Sequence, residues 1–135
     1  MFQNFLTEIA SHGFLVLADG EPTGLGMTSY KDLMKSIDWV TSNPAAKKYG
    51  NIDLENIAIA GQSCGGLEAY SASINTDKHK LTILFNSGML NPFDSTTIPQ
   101  LKKPVAYFLG GKTDMAQAQV RFLTNELLIK RSHLL

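Results

Sequence analysis

The sequence predicts an α/β protein, a three-layer sandwich around a mostly parallel sheet, in a single domain over residues 1–135. Three observations predict it. Short apolar runs, FLVLA (14–18), IAIA (57–60), LTILF (81–85) and VAYFL (105–109), alternate with segments whose apolar residues recur at helical spacing. The runs lack the polar alternation of a half-exposed strand, so each reads as a strand covered on both faces. No hairpin turn joins consecutive runs, which implies parallel strands linked by right-handed crossovers.

Each element has its own signal. Phe2, Phe5, Leu6 and Ile9 make a first helix that ends near His12-Gly13. FLVLA follows as a strand, and ADGEPTGLG breaks it with glycine and proline. Tyr30, Leu33, Met34, Ile37 and Val40 form one apolar stripe, with Ser29 as N-cap, Asp32 three residues on, and Pro44 as the stop. KKYGNIDLEN is polar and turn-like. IAIA is the second strand, and Leu67, Tyr70 and Ile74 share a face of the next helix. LTILF is the third strand, followed by a loop with Asn86, Ser87, Gly88 and Pro92. VAYFL is the fourth. Ala116, Val120, Leu123 and Leu127 mark a last helix, and the tail 130–135, KRSHLL, is unpatterned and expected to be poorly ordered.

Composition narrows the function classes. With 135 residues the chain suits one modest hydrophobic core. Twelve basic and twelve acidic residues cancel, so no global field favours nucleic acid or an anionic membrane. No apolar run approaches the roughly 18 to 20 residues of a membrane-spanning helix. The start, MFQNFLTEIASHG, lacks the basic n-region and apolar h-region of a signal peptide, which leaves the compartment open, secretion of a longer form included. Cys64 is the sole cysteine and excludes an intrachain disulfide.

Chemistry concentrates in IAIAGQSCGGLEAY (57–70), where Gly61-Gln62-Ser63-Cys64-Gly65 joins a buried strand to a helix. In open parallel sheets reactants bind beyond the C-terminal strand ends. The spacing G-x-S-x-G suits a nucleophile elbow: serine takes a strained backbone geometry, small neighbours make room, and the next amide, that of Cys64, faces a developing oxyanion. Gly66 would ease close packing of the helix. The competing reading is a structural turn with Ser63 as an N-cap. A phosphate loop is disfavoured, since G-x-x-x-x-G-K-[ST] is absent. Cys64, beside the elbow apex, reads as a small buried hydrophobe rather than a second nucleophile.

On these residues the stretch resembles the nucleophile region of the α/β-hydrolase superfamily, particularly its esterase, lipase and dienelactone-hydrolase-like members. FLTEIASHGFLVLADG is similar to the helix and strand preceding that region, and SYKDLMKSIDWVTSNPAAKKYGNIDLENIAIAGQSCGG to the next helix and the strand into the elbow. KKPVAYFLGGKTD resembles the later strand and the turn that carries the acid. The resemblance implies a partial α/β-hydrolase fold, covering the middle of a complete family domain, so the chain reads as an internal fragment. It also implies a serine hydrolase acting on carboxylic esters or similar acyl substrates, impaired in this chain, with Ser63 and Asp114 as catalytic residues. The implied partner is a small acyl or ester molecule; neither metal nor organic cofactor is required, and neither C-x-x-C nor H-E-x-x-H occurs.

A serine hydroxyl needs a histidine to take its proton and an acid to orient that histidine. Asp114 is the implied acid; its other reading is a helix cap with Gln117 three residues on. Asp94 competes as acid, and Asp19 reads as a structural loop residue. By the family order of serine, acid, histidine only His133 qualifies as base. No eighth strand precedes it to deliver it, so the chain lacks a convincing base as well as the family's upstream oxyanion loop. His12 lies before the first strand and His79 at the far end of the sheet. Asn86, Ser87 and Met89 either line the substrate entrance or form a polar loop, and Glu68 is more simply a solvated or supporting carboxylate. The resemblance also implies that a strand belongs between FLVLA and IAIA. Without it the sheet must close up, pair with another chain through unpaired edges, or stay marginal. The contrasting hypothesis is a non-catalytic α/β scaffold or interaction protein that keeps a degenerate elbow.

Overall fold

Parallel ladders join three of the four expected strands in a computed structural model that describes residues 2–20, 27–88, 100–117 and 120. The elements are α1 (Gln3–Ser11), α2 (Tyr30–Ser42), a 3-10 helix (Pro44–Tyr49), β1 (Ala58–Gln62), α3 (Cys64–Asn75), β2 (Leu81–Phe85) and β3 (Val105–Phe108). Strand order is β1-β2-β3, with Ala60 opposite Ile83 and Ile83 opposite Ala106. The mixed α/β class and the parallel pairing therefore match the expectation from pattern. Among the described residues no helix is long and apolar enough to cross a membrane.

FLVLA is the correction. Residues 14–18 belong to no strand, and Phe14 and Leu17 are 65% and 39% exposed. An apolar run becomes a strand when a neighbour takes its N–H and C=O groups. Among the described residues β1 pairs only with β2 and leaves its other edge open, and residues 14–18 do not take that place.

The helix signals hold for reasons visible in the geometry. At the start of α2 the Asp32 carboxylate accepts from the Ser29 N–H and hydroxyl, each at 3.1 Å, closing the expected capping box. Asn43, before Pro44, is forced to extended backbone (φ −88°, ψ 122°), which ends α2. The chain then turns directly into the 3-10 helix Pro44–Tyr49, whose first turn is held by Ala45 N–H to the Asn43 side chain at 2.9 Å.

The core lies where α3 crosses the sheet. Ile37 from α2, Ile59, Ala69, Tyr70, Ala72 and Leu84 form one buried cluster. Fully burying Leu84 contributes about 1.5 to 3 kcal/mol. The face of α3 that packs deepest is made of Gly66, Ala69, Tyr70, Ala72 and Ser73, while Leu67 and Ile74 are only half-buried. Small residues let the helix approach closely: the Ser73 hydroxyl meets that of Thr82 at 2.6 Å, and the Tyr70 and Tyr107 hydroxyls are hydrogen-bonded. Burial pushes the pKa of both tyrosines up. On the opposite sheet face α1 meets Phe85 through Phe5 (ring centroids 5.2 Å apart, edge-on), and Phe85 stacks on Phe108 at 5.1 Å. Ala58, Ala60 and Gln62 on that face remain exposed.

Candidate active site

Ser63 stands at the C-terminal end of β1, immediately before α3, with φ 53° and ψ −118°. Such positive φ is costly for a side-chain-bearing residue, of order 1 to 3 kcal/mol, and persists only where the surroundings hold it. Three bonds do so. The Ser63 N–H donates to the Phe85 carbonyl at 3.1 Å, and the Ser63 carbonyl accepts from Gly66 N–H at 2.9 Å and from the Ser87 hydroxyl at 2.8 Å. The Ser63 side chain is exposed and makes no capping hydrogen bond. Ser63 is thus the N-cap of α3 by position, as the competing reading expects, but its hydroxyl does not do the capping.

The glycines divide into two kinds. A Cβ on Gly61 would lie 2.0 Å from the Gly65 carbonyl oxygen, and one on Gly66 would lie 2.2 Å from the Ser87 hydroxyl oxygen. Both positions exclude any side chain. Gly65 has nothing within 4 Å of its notional Cβ, so the last glycine of G-x-S-x-G is not required by contact, and the one after it is.

Cys64 departs from expectation: it is exposed rather than buried. As the first residue of α3 it sits at the tip of the turn, while Gly66 and Ala69 face the sheet. Its N–H lies in the first turn of α3, where backbone N–H groups have no intrahelical acceptor.

Asp114 follows β3 and is half-buried. One carboxylate oxygen accepts from Gly110 N–H at 2.9 Å and from the Asn86 side-chain amide at 2.8 Å; the other accepts from Ala116 N–H at 3.0 Å. The Gly110 N–H, the Ala116 N–H and the Asn86 amide hold its carboxyl below the usual carboxylate range. The expected capping role is thus present, alongside a tie to the end of β2. A carboxylate offers about four lone-pair sites, and these three bonds leave one for a further donor.

The remaining candidates separate cleanly. His12 is exposed and pairs with Glu8 at 3.1 Å. His79 is 1% exposed, just before β2 and so at the opposite end of the sheet from Ser63. Glu68 accepts from the Thr28 hydroxyl at 3.0 and 3.2 Å, a supporting contact. Asp19 accepts from the Ser36 hydroxyl at 2.6 Å, as a loop-fixing residue should. It lines an open hollow of about 600 Å³ with Thr28, Lys35 and Trp39, of which Ser63 is no part. Asp94, Met89, His133 and the tail 130–135 lie outside the described residues. Among the described residues no group of three or more His, Cys, Asp or Glu could hold a metal ion.

Sequence reasoning missed Ser87 as a partner of the elbow and Asn86 as a partner of Asp114. Neither has a local signal, because each bond joins segments more than 20 residues apart. No protein-family model, curated protein or solved structure matches this chain.

Proposed function

We propose that this chain carries the nucleophile corner of a serine hydrolase of the α/β-hydrolase type, acting on carboxylic esters or similar acyl substrates. One observation carries the reading: an exposed serine hydroxyl, without a hydrogen-bond partner among the described residues, held at positive φ on a strand-to-helix turn. Ser63 attacks the acyl carbonyl and forms an acyl-enzyme as the leaving group departs with a proton; water then releases the acid. The Cys64 N–H steadies the tetrahedral oxyanion. Asp114 keeps one acceptor site for an imidazole N–H. By chain order His133 is the candidate base. General-base transfer is worth about 10² to 10⁴ in rate, so activity depends on that histidine.

The test is acylation by a short-chain aryl ester, read by peptide mass mapping, with and without added imidazole as a surrogate base. Acyl adduct on Ser63, faster with imidazole, supports the reading. A folded sample with no adduct on Ser63 in either condition contradicts it.

A second reading, a non-catalytic α/β interaction module that self-associates through unpaired sheet edges, is favoured by a separate observation. Phe14, Leu15 and Leu17 are exposed, and among the described residues the edge strand β1 has a single ladder partner. Sedimentation across a concentration series distinguishes it: a dimer that Leu17→Lys dissociates supports this reading, and a monomer throughout removes it.

A further inference from the structure

We propose that Asn86 and Ser87 together form the positioning element of this site, Ser87 fixing the backbone of the Ser63 elbow and Asn86 fixing the carboxylate of Asp114. The importance of that element rests on the hydrolase reading; its existence rests on geometry alone.

β2 is the central strand, so its C-terminal end lies between the end of β1, which leads into Ser63, and the end of β3, which leads towards Asp114. Two backbone bonds extend the ladder by one step on each side: Ser63 N–H to Phe85 carbonyl at 3.1 Å, and Asn86 N–H to Phe108 carbonyl at 2.8 Å. There the chain turns, with Asn86 at φ 47°. Asparagine tolerates that region better than most residues.

The two consecutive side chains then serve opposite neighbours. The buried Ser87 hydroxyl donates to the Ser63 carbonyl at 2.8 Å, in the space a Cβ on Gly66 would fill. The Asn86 amide donates to Asp114 at 2.8 Å, and a Cβ on Gly110 would stand 2.8 Å from that amide nitrogen. Each polar side chain thus faces a glycine that leaves it room. A turn chosen only for its backbone would need neither the amide aimed at a carboxylate nor the cleared space opposite. The single remaining acceptor site on Asp114 therefore has a fixed direction.

NMR titration of the Asp114 side-chain carboxyl in the full chain tests this, because it reads the contact whether or not Ser63 reacts. Asn86→Gly keeps the positive φ at no backbone cost and deletes the amide. The expected result is an upward shift of the Asp114 pKa. Asn86→Asp is a second variant that also tolerates the turn; it sets two carboxylates side by side and raises one of them further. Ser87→Ala should leave the Asp114 titration as in the parent. An unchanged titration in both Asn86 variants overturns the proposal, as does an equal shift in Ser87→Ala. A shifted titration with no acylation of Ser63 keeps the positioning element and removes the hydrolase reading; normal acylation with an unshifted titration does the reverse.

Discussion

The Ser87 hydroxyl donates to the Ser63 carbonyl at 2.8 Å, bridging the end of β2 and the turn into α3. It does so at a point where Gly66 passes too close to carry a side chain. The strained turn is therefore held by contacts distant in sequence as well as by its own glycines. A net hydrogen bond of this kind is worth about 0.5 to 1.5 kcal/mol, enough to matter to a residue whose backbone costs about as much.

The glycines supply a graded test of that arrangement. Gly66→Ala should destabilise by about 1 to 3 kcal/mol, the usual cost of overpacking. Gly61→Ala should cost at least as much, because the atom it meets is backbone and cannot rotate away. Gly65→Ala, with open space around it, should be neutral or gain about 0.5 to 1 kcal/mol from helix propensity. Combining Gly66→Ala with Ser87→Gly should recover part of the loss, a coupling that urea unfolding of the four-member cycle measures.

Relieving Ser63 itself should trade reactivity for stability. Ser63→Gly adopts φ 53° without strain. After the entropy that glycine adds to the unfolded chain, a net gain of about 1 kcal/mol is expected, together with complete loss of acylation. Equal or lower stability in urea would mean that the turn is not strained.

Much of this was legible in the sequence. LTILF forms β2 over the expected residues, and the Ser29–Asp32 box and Pro44 bound α2 as their chemistry requires. FLVLA was misread because composition reports that a segment is apolar, not whether a ladder partner stands beside it. Of the deep face of α3, Gly66 and Tyr70 are legible in the sequence; Ala69, Ala72 and Ser73 are not, because they carry little hydrophobic weight, although their smallness is what brings the helix down onto β1 and β2. Cys64 was assigned to the interior by its chemistry, whereas its place at the tip of the turn decides its exposure. Ser63 is legible through local spacing; Asn86 and Ser87 are legible only as entrance or loop residues, because their roles as partners exist only once β2 lies between β1 and β3.

His79 gives the fold a pH dependence. Its ring is buried, both nitrogens lack hydrogen-bond partners among the described residues, and burial lowers its pKa from the ordinary 6.5. The Lys103 charge acts in the same direction; the Thr76 backbone, outside hydrogen-bond geometry, and the Asp77 charge oppose it. The unfolded chain therefore takes up the proton first as pH falls. Stability from this group is full above about pH 6.5 and declines below it, down to the lowered folded value. Urea midpoints measured from pH 8 to pH 5, about the range in which histidine titrates, should fall in the parent and flatten in His79→Leu; parallel curves would contradict this assignment.

Labelling with a fluorophosphonate probe, followed by peptide mass mapping, tests the central claim most directly. The account predicts a single adduct on Ser63 in folded protein, less of it in Ser87→Ala and none in Ser63→Ala. Ser63 left unmodified in a sample shown to be folded, or the same labelling in Ser63→Ala, would contradict it.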